Sequence, residues 1–267
     1  MRPTIGFLRN AALFGVLSVL VPVSAAAEWY VGGYGGYSWP QSLKDVTMNN
    51  FGLRSAISRY GFNQNDINQG SSLTQNFQSS DVSLKSSALF GGKAGYFFKD
   101  EGLSWLGVEV EAFTTQPSIK QQTVNTTQGI TFLLGPPPAG ACDPVLPNKT
   151  CSAQETLRST LSLSESSLRL IVVGFNVVAR YPGKILQPYV GVGAGAFYFS
   201  SSGQIDGRQV VPGFLAQAGL KVLVTEEWGL FMEGKYNLAN INNLDETFGI
   251  SGQYSSFNAV AGLAYHF

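Results

Sequence analysis

The sequence predicts an all-β chain, an eight-stranded antiparallel transmembrane β-barrel with long extracellular loops, and three observations carry that prediction. Apolar residues recur with period 2 in eight segments, and the connections between those segments alternate strictly between long and short. Only 13% of the 267 residues are charged, whereas 12% are aromatic and 31 are glycines, a balance suited to a surface that faces lipid. Period 2 marks strands with two unlike faces. No segment after residue 27 is long and apolar enough for a transmembrane helix. A chain that still crosses a membrane must then satisfy its backbone inside a closed barrel.

The first 27 residues read as a cleaved secretory signal. Arg2 and Arg9 flank a short basic region, Ala11 to Val21 is an almost unbroken apolar run, and Ala25-Ala26-Ala27 supplies the small-x-small cleavage pattern. Cleavage is expected between Ala27 and Glu28, the alternative being an uncleaved helical anchor. Residues 28–267 form one barrel domain. Its first strand, Glu28 to Trp39, is Gly-rich and aromatic, and Ser87 to Phe98 and Leu103 to Thr115 follow, joined by the tight turn Lys99-Asp100-Glu101-Gly102. In the third strand Leu106, Val108, Val110 and Ala112 are assigned to lipid and Glu109 and Glu111 to the lumen. The next strand, from Leu163 to Tyr181, is apolar on both faces in its middle. Its phase is set by sending Asn176 and Arg180 inward, with Ile171, Val173, Phe175, Val177 and Ala179 outward, because polar groups in lipid are costly. Gln187 to Phe199, Gly213 to Val224 and Gly229 to Leu238 come next, and the last strand ends with Leu263, Tyr265 and Phe267 on one face.

Residues 40–86 and 116–162 are long and polar, residues 200–212 and 239–253 are moderate, and the other three connections are tight turns. Placing the tight turns in the periplasm orders all seven connections. Leu53, Ile57 and Tyr60 have near-helical spacing within the first long loop. Trp29, Phe98, Trp105, Tyr181, Tyr189, Trp228 and Tyr265 lie within a few residues of a turn or terminus, as a periplasmic aromatic girdle requires. A soluble lipocalin-type barrel also alternates, but with its apolar face inside.

The charges narrow the function. Seventeen basic residues match 17 acidic ones, and removal of Arg2 and Arg9 leaves 15 against 17, with no cationic excess for nucleic acid. Lys93, Glu109, Glu111, Lys221, Glu233 and Lys235 are assigned inward. All but Lys221 lie at similar distances from the nearest periplasmic turn and should meet as a lumenal ion network. An eight-stranded barrel is just wide enough for side chains to fill it. Glu109 and Glu111 also have the spacing of an acid/base pair on one side of a strand, but lysines at the same level give the simpler, structural reading. His266 has neither a positioned nucleophile nor an orienting carboxylate in the sequence and reads as a rim residue. Gly191, Gly193 and Gly195 share a strand face, so they are no nucleotide loop; they read as room for Tyr189 and Phe197. Cys142 and Cys151 close a short segment and should form a disulfide in an oxidising compartment. No catalytic residue, metal or cofactor is expected.

The stretches LFGGKAGYFF (89–98), WLGVEVEAF (105–113), ARYP (179–182), LQPYVGVGAGAF (186–197), residues 216–236 and AGLAYHF (261–267) resemble the small outer-membrane barrel family typified by the OmpA transmembrane domain, OmpX and the Opa-type adhesins. The resemblance covers the strands and none of the long loops. It implies a Gram-negative outer-membrane location, export through the secretory pathway, and contact with outer-membrane lipids. It also implies assembly by the barrel-assembly machinery, with Leu263, Tyr265 and Phe267 as the signal positions. The chain lacks the periplasmic domain that follows the barrel in OmpA, so wall anchoring has no support. The expected function is a non-enzymatic surface platform whose loops 40–86 and 116–162 meet an extracellular ligand, with a small solute or ion channel of porin type as the alternative.

Overall fold

A computed structural model of the chain describes residues 28–60, 72–99, 102–133 and 152–267. Its strands are β1 (Glu28–Pro40), β2 (Lys44–Met48), β3 (Ser72–Ser79), β4 (Ser87–Phe98), β5 (Leu103–Thr115), β6 (Ser118–Ile119) and β7 (Gln122–Leu133). They continue with β8 (Ser152–Leu163), β9 (Ser166–Arg180), β10 (Leu186–Ser202), β11 (Gly207–Leu223), β12 (Trp228–Ile241) and β13 (Ile250–His266). One helix, α1 (Asn49–Tyr60), lies between β2 and β3. Eight strands pair antiparallel in the order β1-β4-β5-β9-β10-β11-β12-β13, and β13 returns to β1 from Tyr30↔His266 to Pro40↔Ser256. The barrel is closed and leaves no edge in the membrane.

The eight barrel strands are those the period-2 pattern predicts, and β9 takes the predicted phase: Val173, Phe175 and Val177 are exposed to lipid while Asn176 and Arg180 are buried in the lumen. Register explains why. Ladder pairing places Val177 beside Val108 and Val192, and Asn176 beside Glu109, so one phase satisfies both faces of three strands. Trp29, Trp105, Tyr181 and Trp228 are exposed at the periplasmic rim, where Trp29 meets Tyr96 and Trp228 meets Tyr265, both at 5.0 Å. Tyr189 is a correction to the expected girdle. It is 7% exposed and points into the lumen, because it shares its strand face with Gly191 and Phe197.

The connections depart most from expectation. Strands β10 and β11 run on to Ser202 and Gly207, and β12 and β13 to Ile241 and Ile250, so the two moderate loops shrink to residues 203–206 and 242–249. The two long loops are folded too. Where β1 ends, β2 takes its place against β13 (Met48↔Ile250), β3 pairs β7 from Ser72↔Leu133 to Ser79↔Thr126, and β7 pairs β8 along twelve residues. The barrel sheet thus continues above the membrane as an extracellular sheet. Polar side chains hid these strands, since Thr126 and Gln128 stand inward between Val124 and Ile130 and interrupt the apolar alternation.

Helix α1 lies where the spacing suggested. Leu53 and Ile57 are exposed, at 42% and 37%, whereas Gly52 and Ala56 are buried. The small residues allow close approach: a Cβ at Gly52 would stand 2.6 Å from that of Phe77. Phe51 then stacks on Phe248 at 5.7 Å and meets Phe77 edge-on at 5.3 Å. Residues 242–249 close over this contact, with Asp245 accepting from the backbone N–H groups of Phe248 at 2.6 Å and Ile250 at 3.2 Å.

Candidate functional site

The lumen gathers the charges into two tiers. In the central tier Lys93 Nζ stands 2.7 Å from Glu233 and 3.2 Å from Glu109, while Lys235 Nζ stands 2.8 Å from Glu233 and also meets Glu111. All five residues are at most 7% exposed. Such a cluster is tolerable only with further hydrogen bonds to the spare lone pairs, and these are present. Tyr30 donates to Glu109 at 2.5 Å, Tyr34 to Glu111 at 3.0 Å and Tyr189 to Glu233 at 2.7 Å. The amide of Asn176 donates to Glu111 at 3.0 Å, and that of Gln217 to Glu109 at 2.8 Å.

Glycines position the three tyrosines. Tyr30 lies across Gly95, Tyr34 across Gly91 and Tyr189 across Gly219, where an added Cβ would come within 2.5, 2.6 and 2.5 Å of the ring. This corrects the expectation that Gly191, Gly193 and Gly195 make room for Tyr189 and Phe197. A side chain in a sheet leans over the neighbouring strand, so Gly219 and Gly213 on β11 receive those rings, while Gly191 and Gly193 lie beneath Gln217 and Asn176.

The second tier, at the periplasmic end, escaped the sequence reading in part. Glu28 forms a two-pronged contact with Arg180, whose Nη1 donates at 2.5 Å, and its Oε1 stands 2.9 Å from His266 Nδ1. Lys221 Nζ stands 3.3 Å from His266 Nε2 and 4.6 Å from the centre of the Tyr30 ring. In the sequence Glu28 stands out only as the residue after the cleavage point and the start of the first strand. Its parity with Tyr30 and Tyr34 on β1 was the available signal that it faces the lumen. His266 does sit beside a carboxylate, yet its other ring nitrogen faces a lysine and not a hydroxyl or thiol, so no nucleophilic arrangement forms.

Between the tiers, lined by Tyr30, Lys93, Arg180, Tyr189 and Lys221 among others, the remaining void is about 10 Å³, room for one water. Toward the outside Phe197, Phe199, Leu170, Leu215 and Tyr254 are buried in the lumen. Below Arg180 an open vestibule of about 1070 Å³ faces the periplasm. Among the described residues no group of three or more His, Cys, Asp or Glu side chains is arranged to hold a metal ion. Leu263 and Phe267 are exposed on the lipid face and Tyr265 is half-buried beside Phe267, at 5.0 Å. Ala27, Cys142 and Cys151 lie outside the described residues.

A closed eight-stranded barrel, apolar outside and ionic within, defines a membrane β-barrel with a filled lumen. The chain belongs to the outer membrane protein β-barrel domain family, whose model matches residues 11–267, and the family places it in the outer membrane of a Gram-negative cell. Among solved structures, Neisserial surface protein A is 12% identical with a TM-score of 0.46 and covers 90% of this chain and 97% of its own. Ail, the attachment invasion locus protein of Yersinia pestis, is 11% identical with a TM-score of 0.41, covering 90% and 98%. OprG of Pseudomonas aeruginosa is 15% identical with a TM-score of 0.39, covering 91% and 96%. No curated protein matches the chain.

Proposed function

We propose that the chain is an exported, non-enzymatic surface platform, a plugged barrel that holds a folded extracellular sheet in place to meet an external partner. One observation carries the reading: loops 40–86 and 116–162 fold as an outward continuation of the barrel sheet, on a core shared with it through Met48, Val124, Leu163 and Ile250. Recognition usually lives on loops held by a rigid scaffold, and here the scaffold extends into the loops. The plug supports the non-conducting half of the proposal, since a void of about 10 Å³ passes no hydrated solute. Export rests on the segment ending at Ala27, the disulfide on Cys142 and Cys151, and assembly on Leu263, Tyr265 and Phe267.

The test is a full-length chain in which residues 122–163 are replaced by a short turn, displayed on cells beside the unaltered chain. Adhesion to extracellular surface components is expected to fall while heat-shifted migration in SDS persists. Unchanged adhesion in an unbiased panel overturns the platform. The channel reading is favoured by the periplasmic vestibule, and steady single-channel openings in planar bilayers, abolished by Lys235→Met, would establish it instead.

A further inference from the structure

His266 is the one histidine in the sequence, and it sits where a proton from the periplasm can reach it. Its side chain is only 6% exposed, yet it lines the open vestibule beside Glu28 and Arg180. Charged and titratable groups surround the ring. Strand β1 places Glu28 Oε1 2.9 Å from Nδ1 and stacks the Tyr30 ring at 5.6 Å. Strand β11 places Lys221 Nζ 3.3 Å from Nε2, and β9 brings Arg180 to the same Glu28 carboxylate. Around the vestibule wall stand Glu226 and Glu227, from the turn after β11, and Lys99 and Lys184, from the turns after β4 and β9. The backbone carbonyl of Glu227 accepts from the His266 N–H at 2.7 Å, which holds the ring's strand in place.

The neutral ring fits these neighbours and the protonated ring does not. An ammonium can only donate, so Nε2 offers Lys221 its lone pair and the ring proton falls on Nδ1, toward Glu28. Neutral His266 thus gives an acceptor to a lysine that has no carboxylate partner among the described residues. A second proton turns Nε2 into a donor. Two cations would then face each other at 3.3 Å where water screens them poorly. Glu28, already committed to Arg180, would be the one carboxylate among three cations. We propose that His266 is an acid-released latch on the periplasmic half of the plug: neutral, it holds Lys221 in the lumen; protonated, it drives Lys221 away, and the void that Lys221 lines takes up water from the vestibule. Phe199 and Tyr254 stay buried farther out, so release loosens the plug from below without opening a pore. The latch is independent of any partner met by the extracellular sheet.

The unfolded chain takes up this proton at the ordinary imidazole value, about pH 6.5, whereas the folded chain must first give up the Lys221 contact. The unfolded state then binds more protons, so stability is fully present above that pH and falls as the pH drops through it. The test is reversible unfolding of the full barrel, refolded in lipid, at pH 7.5 and pH 5. In the unaltered chain the unfolding constant should rise about tenfold on acidification. His266→Gln keeps an acceptor for Lys221 but does not titrate, and should lose most of this response. Lys221→Met removes the opposing cation and should lose it too. A flat response in the unaltered chain overturns the latch. An undiminished response in His266→Gln assigns the effect to other groups, and one in Lys221→Met removes repulsion as its cause; either result also overturns it. Should His266→Gln fail to refold, the NMR signal of the single imidazole decides. In Lys221→Met the ring should take up its proton at a higher pH than in the unaltered chain, and equal midpoints overturn the proposal.

Discussion

The same strands are built inside out on the two sides of the membrane surface. Within the bilayer β9 and β10 face outward with Val173, Phe175, Val190 and Val192, and inward with Asn176, Arg180 and Tyr189. Above it, β9 faces outward with Ser167 and Arg169 and inward with Leu168 and Leu170, while β10 faces inward with Phe199. Lipid outside supplies no hydrogen bonds and no hydrophobic drive, so the membrane section is held by strand closure and by paired charge in the lumen. Water outside reverses the terms, and the extracellular section is held by an ordinary apolar core. The change of sign falls between Ile171 and Arg169 on β9.

The sharpest way to break this comparison is to injure each core in turn. Glu233→Leu leaves Lys93 and Lys235 facing one another without their shared carboxylate, and should cost about 3–5 kcal/mol, the usual penalty for stranding a buried charge. Reversible unfolding of the refolded barrel in lipid measures it. Phe77→Ala should remove a similar amount, about 3–5 kcal/mol, but locally, by opening the contact with Phe51. Limited proteolysis within α1 should accelerate while the barrel keeps its heat-shifted migration. Global loss in both variants would mean that the two sections unfold as one unit.

The outer face offers the next test. Arg in place of Val110, 52% exposed on the lipid face of β5, should destabilise by about 2–4 kcal/mol if it lies near mid-bilayer. Thr160→Arg, on exposed β8, should stay within about 0.5 kcal/mol. Equal tolerance at both positions would reject the assigned boundary. Within the lumen, Lys93 and Glu109 stand 3.2 Å apart, and a cycle built from Lys93→Met, Glu109→Gln and their double variant should give a coupling of about 0.5–3 kcal/mol. Strict additivity would mean that Lys93 is held by Glu233 alone.

The membrane section was legible because its two environments differ so strongly that a one-residue slip exchanges them. Glu109 and Glu111 could face only the lumen, and the period around them fixed β5 and its neighbours. The extracellular section has water on one side and a core admitting Thr126 and Gln128 on the other, so β7 carries weak alternation and reads as loop. The ionic side chains were visible by parity, but their tyrosine partners were not. Tyr30 and Tyr34 resemble ordinary barrel aromatics until the register places them across Gly95 and Gly91. Which glycine receives which ring is a property of pairing between strands, and no single strand contains it.

Among the lumenal charges the smallest expected effect belongs to Lys221, and it separates local pairing from overall charge balance. Lys221 is 5% exposed, rests on the ring of Tyr30 and touches His266, yet no carboxylate lies within 4.0 Å of it among the described residues. With His266 neutral, the lumen holds Lys93, Arg180, Lys221 and Lys235 against Glu28, Glu109, Glu111 and Glu233, so Lys221 balances the count without a partner of its own. Methionine has a similar unbranched reach and leaves no buried charge to desolvate. Where contacts dominate, Lys221→Met should change stability by no more than about 1 kcal/mol in either direction, because a buried charge replaced by a well-packed apolar side chain is often neutral. Where the summed field dominates, the central tier is left with one carboxylate too many, and the loss should approach that of Glu233→Leu. Unfolding of both variants in the same lipid, at pH 7 and low salt, decides between them; a cost near 3 kcal/mol for Lys221→Met would show that the two tiers act as one electrostatic unit.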